Sequence, residues 1–131
     1  LSEFLTKDLG LTEWKAAKPY NKRIAFHRAC HGRAIGLTSQ AEQLLASIPG
    51  VELVEIQNRE QCCGFGGAFC VVELHVSSQI GKAKLDTLLD SQPDEIVSGD
   101  MGCLMHLGGM LHKNGNPIPT RHYAEILAET I

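Results

Sequence analysis

The stretch EIVSGDMGC (residues 95–103) combines a short apolar strand candidate, a glycine turn and the start of a helix. The same order recurs along the chain, with strand candidates at Arg23–Ala29, Glu52–Ile56 and Ile118–Arg121. Parallel strands need crossover connections, so strands that alternate with helices predict an α/β fold. We expect a small parallel sheet of about four strands with crossover helices, and we favour a flavodoxin-like strand order.

The helices are predicted from apolar residues at helical spacing. The candidates are Leu1–Asp8, Thr38–Ile48, a long stretch from Gly67 to about Asp90, Gly102–Lys113 and Tyr123–Thr130. In the long stretch the predicted apolar face consists of Val76, Ile80, Ala83 and Leu88. We divide the chain into an N-terminal helix with its connecting segment (residues 1–21) and one domain (residues 22–131).

Composition narrows the function classes. The chain has 131 residues, 44% of them hydrophobic and 21% charged, with a net charge of −3. The sequence has no basic block or stripe, which argues against nucleic acid as a partner. No apolar run approaches the roughly 20 residues of a membrane span. A secretory signal is not evident either, so the sequence predicts a cytoplasmic protein. Because the chain begins with Leu1, we expect it to be part of a longer protein.

Four of the five cysteines follow predicted strands. Cys30 comes after the first strand, Cys62 and Cys63 after the second, and Cys103 after the third. The carboxyl ends of parallel strands share one edge of the sheet, where ligands bind in α/β folds. Thiolates are the ligands of iron–sulfur clusters and of zinc. The pattern therefore predicts one metal or iron–sulfur centre at this edge, whereas Cys70, among apolar neighbours, is expected to be a packing residue.

The cysteine spacing resembles a known family pattern. There are 31 residues between Cys30 and Cys62, and 35 between Gly64 and Asp100, which opens the run Asp100-Met101-Gly102-Cys103. This is similar to the cysteine-rich CCG domain family, whose pattern is a cysteine, a Cys-Cys-Gly motif and a Cys-x-x-Cys motif at comparable separations. The wording of the motifs most resembles the second CCG half of the lactate utilisation and glycolate oxidase group, which is related to heterodisulfide reductase.

The resemblance implies an iron–sulfur centre, most simply a 4Fe-4S cluster, in a complex that oxidises a 2-hydroxy acid. L-lactate oxidation to pyruvate is the implied reaction, with glycolate as the next candidate. The domain would pass electrons to other subunits of an oxidoreductase complex and need no substrate site. Two alternatives stay open, a zinc module that docks subunits and thiol redox chemistry at Cys62-Cys63. The family usually has two CCG halves, and an isolated half can lack the cluster or hold another metal.

Several residues beside the cysteines are expected to support the centre. Gly64, Gly66 and Gly67 allow unusual backbone angles and close approach of amides to a negative cluster. Asp100 replaces the first cysteine of the Cys-x-x-Cys motif, and either ligates or hydrogen-bonds loop amides, the role we favour.

The histidines near the cysteines have competing interpretations. His27 can ligate, donate to a sulfur or be satisfied by the backbone, and we favour the backbone. His106, three residues after Cys103, and His122, after the fourth strand, are weaker candidates for the surroundings of the centre.

Overall fold

The computed structural model describes residues 1–30, 39–57, 61–67 and 69–131, without the side chains of Phe69 and Cys70. Four strands are present: β1 (Lys22–His27), β2 (Val51–Leu53), β3 (Glu95–Ser98) and β4 (Thr120–His122). The helical segments are the π-helical α1 (Phe4–Asp8), α2 (Gln40–Ala46), α3 (Phe69–Val72), α4 (Leu74–Asp90), α5 (Met101–Lys113) and α6 (Tyr123–Glu129).

The strands form one parallel sheet in the order β2-β1-β3-β4. This confirms the predicted α/β class, and it matches the first four strands of the flavodoxin-like order. β1 pairs with β2 on one side and with β3 on the other, where His27 lies opposite Ser98. After β1 the chain adds β2 on one side of it, and it then crosses to the other side to add β3. The gap between the carboxyl ends of β1 and β3 is therefore the topological switch point.

Helices cover both faces of the sheet because successive strand residues point to opposite sides. Ile24 and Val97 belong to one core cluster, which includes residues of α1, α2 and α6. Ala25 and Ile96, their immediate neighbours, belong to a second cluster with residues of α4 and α5. The fold is therefore a three-layer sandwich, and each face buries its own apolar cluster.

The buried face of α4 differs from the predicted one. The helix buries Ser77, Gly81, Lys84, Leu85 and Leu88, so only Leu88 was predicted correctly. Val76 is 44% exposed and Ala83 is also exposed. The stripe is shifted because hydropathy does not recognise a serine, a glycine and a lysine as interior residues. The predicted single helix after Gly67 is also interrupted, since α3 ends at Val72 and α4 begins at Leu74.

The other elements agree with the predictions within three residues at each end, as expected for boundaries predicted from sequence. The largest differences are at β2, which ends at Leu53 rather than Ile56, and at α1, which begins at Phe4 rather than Leu1. Ser39 occupies the N-cap position of α2 without a side-chain cap, and Thr38, where this helix was predicted to begin, lies outside the described residues. No helix in the described ranges is long and apolar enough to cross a membrane.

The N-terminal segment packs against the first core cluster. Leu5 and Tyr20 are buried in that cluster. The amides of Ala17 and Lys18 donate to the carbonyl of Thr130, at 2.8 and 3.2 Å. Both chain ends therefore lie on the sheet face opposite α4 and α5. The division of the chain after residue 21 stays a prediction.

Candidate metal centre

Two of the predicted thiols meet in the protein interior. Cys63 and Cys103 are 2% and 5% exposed, both in the core cluster beneath α4 and α5. Their Sγ atoms lie 2.8 Å apart and are joined by a hydrogen bond. Cys63 comes from the loop after β2, and Cys103 from the first turn of α5, directly after β3. The parallel topology thus brings distant segments to the switch point, as the cysteine positions predict.

The glycines shape the loop that carries Cys62 and Cys63. Gly64, Gly66 and Gly67 have φ values of +85°, +57° and +62°, which L side chains rarely adopt. This confirms the unusual angles expected for them. A Cβ on Gly64 would lie 2.6 Å from the carbonyl oxygen of Ser77. The Ser77 hydroxyl donates a hydrogen bond to the Gly64 carbonyl, so α4 holds the loop closely.

Backbone amides of the same loop point at sulfur. The amide of Gly64 donates to Cys62 Sγ at 3.3 Å, and that of Phe65 donates to Cys63 Sγ at 3.4 Å. A hydrogen bond to the charged form of a group stabilises that form. These two amide hydrogen bonds therefore favour the thiolate forms of Cys62 and Cys63.

Asp100 fixes the start of α5. Its carboxylate accepts a hydrogen bond from the Cys103 amide at 3.0 Å, in the N-cap position. This is the amide-bonding role favoured from the sequence. A neighbouring hydrogen bond, from the Ser98 hydroxyl to the His27 carbonyl at 2.8 Å, ties the carboxyl ends of β1 and β3. Together these contacts set where Cys103 lies relative to His27.

His27 lies beside the same two thiols in the interior. It is 1% exposed, and neither ring nitrogen has a hydrogen-bond partner in the described residues. The favoured prediction, an imidazole satisfied by the backbone, is therefore wrong for the described part of the chain. Its donor atom and the sulfurs of Cys63 and Cys103 all lie within 4.8 Å of one another, so the three residues can hold a metal ion. This donor set supports metal binding.

The two buried thiols, Cys63 and Cys103, have pKa values shifted in opposite directions. The hydrogen bond to Cys103 lowers the pKa of Cys63 to about 4, against the effect of burial and with help from His27 and the Phe65 amide. The same hydrogen bond, burial and the nearby carboxylate of Asp100 raise the pKa of Cys103. The pair therefore favours a thiolate on Cys63, which lowers the cost of metal binding.

Cys30 and Cys62 form an exposed outer pair. Burial raises the pKa of Cys62, and the nearby thiols of Cys63 and Cys30 raise it further. Cys30 also contributes to the raised pKa of Cys103. The structure thus brings all four motif cysteines to one place, as two pairs of unequal exposure. The side chain of Cys70 lies outside the described residues, so its predicted packing role stays a prediction.

Other residues complete the surroundings. His106 Nε2 and Gln61 Oε1 are buried and lack a partner in the described part of the chain. A Cβ on Gly81 would lie 2.7 Å from His106 Nε2 and 3.1 Å from the Cys63 carbonyl oxygen, so this glycine makes room for the ring. Gly81 and Ser77 were missed because the predicted face of α4 was wrong, although small residues spaced four apart are a recognisable signal.

His122 has a structural role at the same edge of the sheet. Its Nδ1 accepts a hydrogen bond from the Ala124 amide at 3.1 Å, which caps α6. Its Nε2 lies 3.2 Å from the Gly99 carbonyl oxygen. Both ring nitrogens are therefore satisfied by the backbone, unlike those of His27.

Comparison with known families agrees with this geometry. The model of the CCG family, described as a cysteine-rich domain, matches residues 24–108. The matched range contains most of β1, the whole of β2 and β3, all four motif cysteines, His27 and His106. The chain therefore belongs to the CCG cysteine-rich domain family, as its motifs predict.

Individual relatives are similar over nearly the whole chain. Lactate utilization protein A of Oceanobacillus iheyensis is 34% identical over 128 residues, which is 97% of this chain and 52% of that protein. The protein of the same name from an Exiguobacterium species is 36% identical over 132 aligned positions, covering 100% of this chain and 53% of the relative. That of Halalkalibacterium halodurans is 36% identical over 128 residues, or 97% and 52%. The chain spans about half the length of the curated relatives it matches.

Proposed function

We propose that this chain is an iron–sulfur electron-transfer domain of a cytoplasmic oxidoreductase complex that oxidises a 2-hydroxy acid. Its relatives are named for lactate utilization, and we infer L-lactate, oxidised to pyruvate, as the substrate of the complex, with glycolate as the next candidate. Cys30, Cys62, Cys63 and Cys103 are the proposed cysteine ligands. The 4Fe-4S type is the simplest cluster for four thiolates.

The observation that carries the proposal is the convergence of the four thiols at the switch point. Soft thiolates in this number suit iron–sulfur clusters or zinc rather than hard cations. Four buried polar atoms without a described partner lie on His27, Gln61 and His106, each within three residues of a motif cysteine. Buried polar groups normally have partners. Unpartnered polar atoms beside the motif cysteines are consistent with a bound group that would contact them.

The residues around the cysteines have distinct tasks in this function. A bound cluster supplies one-electron chemistry. The amides of Gly64 and Phe65 stabilise negative charge on Cys62 and Cys63, which favours the reduced form of the site. Asp100 holds the first turn of α5, so that Cys103 keeps its position. The packing of α4 and α5 excludes water from the inner pair.

Exposed apolar residues beside the site support partner subunits. Val71, Val72 and Leu74 are 78%, 75% and 65% exposed after the Cys-Cys-Gly loop, and Met101 and Met105 are 53% and 68% exposed at the start of α5. Apolar patches on a protein surface often mark interaction sites. We infer that the subunits exchanging electrons with this domain dock here.

A zinc module is the second candidate because of one observation. Two cysteines and a histidine are a common zinc ligand set, and His27, Cys63 and Cys103 provide one. Zinc has no redox chemistry, so the domain would then hold subunits together without carrying electrons.

Metal analysis separates the two candidates. The chain is purified without oxygen, and its iron, acid-labile sulfide and zinc contents are measured with its visible absorption. Iron and sulfide with broad visible absorption are expected, whereas stoichiometric zinc in a colourless protein would overturn the electron-transfer proposal. Cys63→Ser is expected to lose the cluster. Cys70→Ser, which changes the one cysteine outside the motifs, is the matched control and is expected to keep it.

The substrate requires a test in the organism. A strain carrying Cys63→Ser in the encoding gene is expected to stop growing on L-lactate as sole carbon source and to grow normally on glucose. Growth on glycolate is compared in parallel. Loss of growth on glycolate alone would replace lactate by glycolate, and normal growth on both would contradict the proposal.

A further inference from the structure

His27 is placed where a ligand of the buried centre would have to be. It is the last residue of β1, at the switch point beside the end of β3. Side chains alternate along a strand, so His27 shares the face of Ala25, which contacts the core cluster of Cys63 and Cys103. The backbone direction alone therefore aims the imidazole at the inner thiol pair.

The lack of partners on this ring is costly. A buried donor or acceptor without a hydrogen bond is unfavourable, and neither nitrogen of His27 has a partner with hydrogen-bond geometry in the residues the structure describes. By contrast, His122 at the same edge satisfies both of its nitrogens with the backbone. The sulfurs of Cys63 and Cys103 lie within 4.8 Å of the His27 donor atom, so a bound group that joins the three donors would satisfy the imidazole.

The three donor atoms lie close enough together to bind one metal centre. The donor atoms of His27, Cys63 and Cys103 lie within 4.8 Å of one another. Zinc bonds nitrogen at about 2.0–2.1 Å and sulfur at about 2.3 Å, so ligands on one tetrahedral zinc lie about 3.5–3.8 Å apart. Binding of this kind requires the two sulfurs to move apart from 2.8 Å. Asp100, the N-cap of α5, is already engaged with the Cys103 amide.

We propose that His27 is a nitrogen ligand of the metal centre, in the same inner group of donors as Cys63 and Cys103; this rests on the proposed function. The centre is then of mixed nitrogen and sulfur ligation, with Cys30 and Cys62 on its exposed side. A neutral imidazole adds no negative charge, unlike a thiolate. Histidine ligation in iron–sulfur clusters raises the reduction potential, so His27 makes the domain a better electron acceptor than an all-cysteine site.

The direct test needs no variant. The full chain is purified without oxygen, with its histidines labelled with ¹⁵N, and the paramagnetic state of its cluster is studied by pulsed electron paramagnetic resonance. A strong coupling to a histidine nitrogen bonded to iron is expected. Only weak coupling, as from a hydrogen bond to sulfur, would overturn the ligand assignment while the iron–sulfur proposal stands.

Variants then assign the nitrogen. His27→Gln is expected to lose the strong coupling and most of the metal. His27→Cys restores a ligand, so it is expected to keep metal, lose the coupling and lower the potential. His106→Gln, which changes the other buried imidazole, is the matched control and is expected to keep the coupling. A coupling that survives in His27→Cys would overturn the proposal.

Zinc content distinguishes the failure of the two proposals. If the chain holds zinc, X-ray absorption is expected to show nitrogen among the sulfur ligands in the wild type and sulfur alone in His27→Cys. Electron transfer would then be wrong and the ligand assignment right. A chain that binds neither iron nor zinc would overturn both proposals.

Discussion

The Sγ atoms of Cys63 and Cys103 lie 2.8 Å apart inside the core cluster beneath α4 and α5, although 40 positions separate the residues in the chain. A bound metal at this place crosslinks the loop after β2 to the helix after β3. Binding to the folded state alone stabilises a protein by mass action. The metal centre and the stability of this side of the sheet are therefore coupled.

Metal removal is expected to destabilise the protein because of this coupling. The purified chain is unfolded by heat before and after treatment with a chelator, and the midpoint temperature should fall after treatment. A ligand at 100 times its dissociation constant contributes about 2.7 kcal/mol. Cys63→Ser is the control, in which the chelator should change nothing. An unchanged midpoint in the wild type would contradict metal binding at the inner pair.

Asp100 is expected to act as a helix cap rather than as a ligand. Its carboxylate accepts from the Cys103 amide at 3.0 Å. Asp100→Ala should cost about 0.5–2 kcal/mol of unfolding free energy, whereas Asp100→Asn keeps the cap. Both unfolding and metal content are measured. If Asp100→Asn loses the metal while its stability is unchanged, the carboxylate is a ligand and the cap interpretation is wrong.

The close packing of the Cys-Cys-Gly loop against α4 can be tested by two glycine-to-alanine variants. In Gly64→Ala the new Cβ would lie 2.6 Å from the Ser77 carbonyl oxygen, at a φ of +85°. The left-handed conformation costs about 1–2 kcal/mol and overpacking about 1–3 kcal/mol more. Gly67→Ala also has a positive φ of +62° but meets no atom within 4 Å, so only the conformational cost is expected. Denaturant unfolding should rank Gly64→Ala as the less stable variant, with the greater loss of metal; equal losses would contradict the close approach of α4.

The sequence predicts the sheet well for a physical reason. All four residues of β3 are buried, so a central parallel strand appears as a short, largely apolar run. The cysteines follow their strands, and their shared edge is a consequence of parallel topology. These features depend on the order of strands, helices and cysteines along the chain, and that order can be read from the sequence.

The surroundings of the site could not be predicted in the same way. Whether His27 faces Cys63 or solvent depends on which side α4 and α5 cover. The interior face of α4 contains Ser77, Gly81 and Lys84, which hydropathy assigns to the surface. The burial of Ser77 and Gly81 follows from contacts with the Cys-Cys-Gly loop and with His106, and such contacts exist only after folding.

The two glycines inside α5 are expected to respond oppositely to alanine. A Cβ on Gly108 would lie 2.8 Å from Thr120 Oγ1, whereas one on Gly109 meets nothing within 4 Å. Gly109→Ala should therefore stabilise the protein by up to about 1 kcal/mol through helix propensity. In Gly108→Ala the contact with Thr120 should cancel or outweigh that gain. Denaturant unfolding of both variants measures the difference, and a gain of equal size in both would show that α5 and β4 are not in close contact.

Ionisation of Tyr20 is expected to destabilise the protein at high pH. Its hydroxyl donates to Glu95 at 2.7 Å and accepts from Arg121 at 2.8 Å. Burial and the hydrogen bond to Glu95 raise the pKa of Tyr20 from 10.0 to about 12. The folded state thus favours the neutral phenol, so this contribution is complete below pH 10 and is lost as the pH rises from 10 towards 12.

A phenylalanine variant isolates this contribution from other groups that titrate in the same range. Tyr20→Phe leaves Glu95, which is 6% exposed, without the hydroxyl donor, and should cost about 1–3 kcal/mol at pH 8. The wild type loses its advantage as Tyr20 ionises, so the difference between the two proteins should narrow above pH 10. Denaturant unfolding of both proteins at pH 8, 10 and 11.5 measures it. A difference that stays constant across this range would mean that Tyr20 ionises equally in the folded and unfolded states, contrary to its buried bond with Glu95.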